Sequence, residues 1–178
     1  MIRAISKIES RAMEDVSFYK ETRRFVEIVK QRVDEGVYKG VVVIGHSLGG
    51  GLSMINGAQE NVKSFALSGP NVILTRKSLE PVVSRQELDT YTFNVIPERD
   101  LITMVDNPAK NNQRIRCRGD ESNLAACHDA KRSICEILYS CGSSDRPVLC
   151  ECVSSYGYPA PSRKYESNTT ETFQDVCK

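Results

Sequence analysis

A chain of 178 residues, 40% hydrophobic and 26% charged, has room for one ordinary domain with a real core and too little for two sizeable ones. Its 24 Lys+Arg against 23 Asp+Glu give a net charge of +1, which leaves no basic footprint for nucleic acid or an anionic membrane surface. The longest apolar run, Val41 to Ile44, is far short of the roughly 20 residues that span a bilayer, so a soluble globular domain is expected.

The opening stretch, Met1 to Ser10, has no continuous apolar segment and no small-residue cleavage site, so it does not read as a signal peptide. Seven cysteines nevertheless lie between Cys117 and Cys177, with none before them. Such crowding reads as a disulfide framework made in an oxidising compartment, and the sequon Asn168-Thr169-Thr170 leans the same way. A secretory cysteine pattern on a start without a secretory signal implies a chain that has lost its beginning. The full-length parent is then expected in the secreted or endomembrane (vacuolar) lumen.

In chain order, about Glu9 to Glu35 reads as a helix, with Met13, Val16, Phe25, Ile28, Val29 and Val33 on its inner face and Gly36 as a left-handed cap. Gly40 to Ile44 is short, β-branched and uniformly apolar, the pattern of a strand covered on both faces of a parallel sheet. A helix follows over Leu52 to Glu60, weakened by Gly57. Lys63 to Ser68 and Thr90 to Ile96 read as second and third strands, stopped by Gly69-Pro70 and by Pro97. Between them, Ile73 to Leu88 carries helical stretches broken at Pro81. This alternation predicts an α/β fold with a small parallel sheet flanked by helices. Three strands would leave both sheet edges in need of cover. Asn107 to Asn112 reads as polar loop, and Asp129 to Tyr139 as an amphipathic helix with Ile134, Ile137 and Leu138 inward. The core domain is thus expected over 1–141, followed by a cysteine-containing polar tail over 142–178.

The chemistry is concentrated in Gly45-His46-Ser47-Leu48-Gly49, a G-x-S-x-G pattern between an apolar strand and a small-residue helix. Such a sequence makes a sharp turn in which the flanking glycines permit close backbone approach. Ser47 is then held strained with its hydroxyl at the sheet's carboxyl edge. The backbone N–H of Leu48, next after the nucleophile, is placed to donate to an oxyanion. A structural serine in a glycine-rich turn is the plainer reading, but no phosphate-binding glycine pattern accompanies it.

A serine hydroxyl needs a base, and the chain has two histidines. His46 sits inside the turn, where its side chain is expected to point away from the nucleophile's face. His128 remains, and it follows Ser47 and a plausible acid in the chain order Ser, Asp, His. Its rival role, a metal ligand beside Cys127, lacks any C-x-x-C support. For the acid, Asp100 follows the third strand most closely and Asp106 is the alternative; position alone also allows either to be a turn or cap residue.

With these residues on the page, the chain resembles the class 3 (fungal lipase-like) lipase family of α/β-hydrolases over about Val41 to Tyr139. The carriers are Val41-Val-Val-Ile-Gly-His-Ser-Leu-Gly-Gly-Gly51, the Ala66-Leu-Ser-Gly-Pro-Asn71 turn, and Asn94-Val-Ile-Pro-Glu-Arg-Asp-Leu-Ile102. The resemblance implies a partial α/β-hydrolase with a cysteine-rich C-terminal extension, and favours Asp100-Leu101-Ile102 as the acid-bearing segment. The Cys127-His128 and Ile134-Cys135 region is loosely similar to autophagic, vacuolar lipases of the same branch. Family members carry further strands, a loop with a second oxyanion donor and a lid ahead of the first helix, and no such stretch is recognisable here.

The reading is therefore a serine-dependent carboxylic ester hydrolase with Ser47 as nucleophile, His128 as base, Asp100 as acid and the Leu48 N–H as oxyanion donor. The resemblance implies a triacylglycerol or phospholipid lipase of lipid metabolism and lipid degradation, with transient contact at a membrane or lipid-droplet surface. No metal or organic cofactor is required. The competing expectation is a catalytically incomplete hydrolase-like fragment that serves as a binding or scaffold protein or is a truncated gene product. A third, a small disulfide-rich domain fused to a helical hairpin, fits the tail alone. Seven cysteines leave at least one unpaired in a monomer, and their spacing does not rank the pairings.

Overall fold

Four short strands joined by three crossovers give a parallel sheet whose spatial order repeats the chain order, β1-β2-β3-β4. The computed structural model describes residues 18–118, 123, 125–140 and 149–160. Its elements are α1 (Phe18–Asp34), β1 (Val43–His46), α2 (Leu48–Glu60), β2 (Ser64–Leu67), α3 (Arg85–Tyr91), β3 (Thr92–Pro97), β4 (Asn112–Ile115), α4 (Ala130–Ser140) and α5 (Cys150–Ser154). Single 3-10 turns lie at Arg76–Ser78, Ile102–Met104 and Ala126–His128. The α/β class with a small parallel sheet is as expected. Residues 9–17 of the anticipated first helix, Cys141, Cys177 and the sequon at Asn168 lie outside the described residues.

The register aligns the first three strands on one level: His46 pairs with Leu67, and Leu67 with Val95. Parallel strands in this register end together, so the residues after β1, β2 and β3 collect along one carboxyl edge. The fourth strand is a correction. Asn112 was expected to end a polar loop, yet Asn112–Ile115 pairs with Asn94–Pro97. It offers no apolar run because it is an outer strand on which Ile115 alone is buried.

One face of the sheet carries α2, and α1 lies on α2. The core joins Tyr19 of α1, Ile55 and Ala58 of α2, and Val72, Ile73, Leu79, Val83 and Leu88 from the β2–β3 connection. Close approach of α2 to β2 needs a glycine: a Cβ at Gly50 would lie 2.9 Å from the Gly69 Cα and 3.2 Å from the Ala66 Cβ. At α2's far end the carboxylate of Glu60 accepts from Arg23 Nε at 2.6 Å and from Lys30 Nζ at 3.1 Å. Asn56 Nδ2 donates to Thr22 Oγ1 at 2.6 Å.

These polar contacts correct the expected inner face of α1. Phe25 and Ile28 are exposed, and Tyr19 and Val26 are buried instead. Burying the carboxylate of Glu60 without partners would be costly, so the helix is rotated to bring Arg23 and Lys30 to it. Gly36 does adopt the left-handed conformation expected of the cap, at φ 78°. In α4, Ile134 points outward, and Ser133, Cys135 and Glu136 are the buried residues. Nor is β1 covered on both faces: Ile44 is 76% exposed, as is a large part of the neighbouring Phe65, on the face opposite α2.

Two disulfides pin the second half. Cys117–Cys127 ties the chain after β4 to the turn that ends in His128, and Cys135–Cys152 ties α4 to α5. Cys150 is disulfide-bonded as well. Part of the expected tail therefore packs on the domain, with Tyr158 buried and its hydroxyl donating to Glu136 at 2.7 Å. Among the described residues no helix is long and apolar enough to cross a membrane.

Candidate active site

The turn between β1 and α2 is tighter than the pattern alone required. Ser47 has φ 55° and ψ −128°, a region that costs a non-glycine residue on the order of 1–3 kcal/mol. Gly45 makes it possible: a Cβ there would sit 2.0 Å from the carbonyl oxygen of Gly49. The second glycine of the pattern is a correction, because a Cβ at Gly49 would meet open space. The α2 helix begins at Leu48, four residues earlier than expected, and both Gly50 and Gly51 donate to the Ser47 carbonyl. The N–H of Leu48 thus stands in a helical first turn, whose donors lack intrahelical acceptors and whose dipole favours negative charge.

Ser47, Asp100 and His128, drawn from three separate segments, meet at the carboxyl edge. His128 Nε2 lies 2.7 Å from Ser47 Oγ, and its Nδ1 lies 3.1 and 3.2 Å from the two carboxylate oxygens of Asp100. A carboxylate can only accept, so Nδ1 carries the proton and Nε2 is left as acceptor for the serine hydroxyl. Asp100 is fully buried and His128 is about a quarter exposed, which leaves the carboxylate dry and the imidazole open to solvent. Asp100 also accepts from the N–H of Ile102 at 3.0 Å.

Asp106, the alternative acid, has another task. Its carboxylate accepts the N–H of Leu74 at 2.9 and 3.0 Å, holding the connection after β2. The metal-ligand reading of Cys127 fails for a chemical reason: its sulfur is spent in the bond to Cys117. Among the described residues no group of three or more His, Cys, Asp and Glu side chains could hold a metal ion.

Sequence reasoning missed the residues that place the acid. Asn94 on β3 donates to Gly69 O at 2.9 Å and to Asn71 Oδ1 at 3.1 Å. Asn71 in turn donates to Thr103 O at 2.7 Å, and Thr103 Oγ1 donates to Asp100 O at 2.8 Å. All four are buried, so this amide chain fixes the exit of β2 to the loop that bears the carboxylate. Two asparagines close to predicted strand ends were the available signal.

His46 departs from expectation too. Its side chain turns back toward the base: Nε2 lies 3.0 Å from the backbone oxygen of His128, and the two imidazole rings are 5.0 Å apart. Comparison with known protein families, with curated proteins and with solved structures found no match.

Proposed function

We propose that this chain is a serine-dependent carboxylic ester hydrolase of the α/β-hydrolase type. The observation that carries the reading is the continuous relay from buried Asp100 through His128 to Ser47, with the serine at positive φ on a strand-to-helix turn. His128 Nε2 takes the Ser47 proton as the oxygen attacks the acyl carbonyl. The Leu48 N–H stabilises the negative oxygen that results, and His128 returns the proton to the departing alcohol. Water then gives a proton to His128 while its oxygen attacks the acyl group. Release of the carboxylic acid restores the Ser47 hydroxyl.

An acylglycerol or phospholipid is the proposed substrate class, as the likeness to class 3 lipases implies. It is supported by exposed apolar side chains close in sequence to the proposed catalytic positions: Leu48 directly after Ser47, Leu101 directly after Asp100, and Met104 and Val105 at the end of the same loop. Such a rim suits an acyl chain or a lipid surface better than a polar ester. The disulfides favour an oxidising lumen.

A second reading, a hydrolase-like scaffold that binds without turnover, is favoured by the open sheet face at Ile44 and Phe65. Hydrolysis of short- and long-chain acyl esters separates the two. The lipase reading expects turnover that rises with acyl length and vanishes in Ser47→Ala. Equal hydrolysis by Ser47→Ala overturns it.

A further inference from the structure

We propose that His46 is a positioning residue that clasps the backbone of the catalytic base. The inference rests on the hydrolase reading above for its effect on rate, but the clasp itself is a matter of geometry. Two consecutive residues of one rigid turn grip two ends of His128. Ser47 Oγ meets its ring at Nε2, and His46 Nε2 meets its backbone oxygen at 3.0 Å.

The acceptor in the second contact is a carbonyl, so His46 Nε2 carries the proton. His128 has the opposite requirement, with the proton on Nδ1 toward Asp100. The two imidazoles, 5.0 Å apart and inclined by 32°, therefore hold opposite tautomers in their neutral forms.

The clasp matters because it holds the backbone of the base, whose ring is met by Ser47 and Asp100 but whose turn is tied toward β4. His128 ends a 3-10 turn of three residues, and its N–H donates to Ala125 O within the same turn. The Cys117–Cys127 disulfide tethers that turn to the end of β4, on the far side of the sheet from β1. His46 supplies the anchor to β1, the strand that presents the nucleophile. With both anchors, the ring spans Asp100 and Ser47 at fixed distance; with one, the turn can swing away from the serine. A displacement near 1 Å at a base costs about 10²-fold in rate.

Three variants separate the hydrogen bond from mere packing. His46→Ala removes donor and ring, His46→Gln keeps a neutral donor at the position of Nε2, and His46→Phe keeps the ring without the donor. The readouts are kcat and KM for an acyl ester, the rate of Ser47 labelling by a fluorophosphonate, and imidazole 15N NMR of the folded protein. We expect His46→Ala and His46→Phe to lower kcat and labelling rate by about 10- to 100-fold with KM little changed. His46→Gln should return to within about threefold of the parent rate. The NMR spectrum at a pH where both rings are neutral should show His46 protonated on Nε2 and His128 on Nδ1.

A parent-like rate in His46→Ala, or rescue by Phe and not by Gln, overturns the clasp. So does His46 protonated on Nδ1. The NMR result stands apart from turnover: a folded protein with opposite tautomers but no Ser47 adduct would sink the hydrolase reading and leave the clasp intact.

Discussion

Ser47 and Asp100 are held by the sheet, whereas His128 is held by cross-links. The first two sit on the exits of β1 and β3, strands locked in register through β2, and each is fixed by backbone geometry within a few residues. The base lies on a three-residue turn attached to the domain by a disulfide and by side-chain contacts from Ser47, Asp100 and His46. Ser47 and Asp100, built into a parallel sheet, depend on the fold as a whole. A base built onto a tethered turn can be displaced while the sheet survives.

The largest effect that sharpens this contrast is expected at the acid. Asp100→Asn keeps the shape but offers an amide to Nδ1, which favours the wrong tautomer. Turnover should fall on the order of 10³–10⁴-fold, measured as kcat/KM on an acyl ester. A fall below tenfold would show that the Asp100–His128 contact does not orient the base.

Next comes the tether. The Cys117→Ser/Cys127→Ser double variant opens a link across a sequence separation of 10 residues. Chain entropy puts the loss of stability at about 3 kcal/mol, read in a denaturant titration. Activity should drop by about tenfold or more. Hydrogen exchange should rise in residues 112–118 and 125–128 and stay unchanged in α2. Uniform loss of protection would mean that the turn and sheet are one cooperative unit, and the contrast would break.

A third test concerns the sheet side. Gly45→Ala places a Cβ 2.0 Å from a backbone oxygen that cannot retreat, so a loss of more than about 4 kcal/mol is expected. Gly49→Ala faces open space and should change stability by less than about 1 kcal/mol. Thermal melts of the pair check both.

How much of this was legible follows the same division. The turn around Ser47 could be read because everything it needs is consecutive: an apolar strand, Gly45 and a small-residue helix start. The histidine that meets Ser47 could be picked out because the sequence has only two. What could not be read is whatever depends on chain order folding back on itself. The pairing of Cys117 with Cys127, the reach of His46 to His128, and the Asn94–Asn71–Thr103 chain leave no periodic trace. Strand β4 escaped because a polar outer strand has no apolar alternation. Apolar periodicity misplaced the inner face of α1 because Arg23 and Lys30 are drawn to Glu60, which spacing does not reveal.

That ion cluster yields a small, pH-dependent effect. Burial raises the Glu60 pKa, but hydrogen bonds from Lys30 and then Arg23 outweigh it and hold the carboxyl below its ordinary value of 4.5. A folded-state value below the unfolded one gives stability that is present above pH 4.5 and is lost as the pH falls through the folded value. Melting temperature should therefore decline in acid below pH 4.5 by a few degrees more in the parent than in Glu60→Gln. Identical acid slopes would remove Glu60 from the docking of α1.

That Ser47 is an activated nucleophile, with His128 the source of its activation, is the proposal on which the mechanism depends. It is tested most directly with a fluorophosphonate probe on the folded chain, its fold checked by circular dichroism, and the adduct mapped by mass spectrometry. A stoichiometric adduct on Ser47 is expected, abolished by His128→Ala without a change in the dichroism. A folded parent chain that takes up no probe, or equal labelling in His128→Ala, would contradict it.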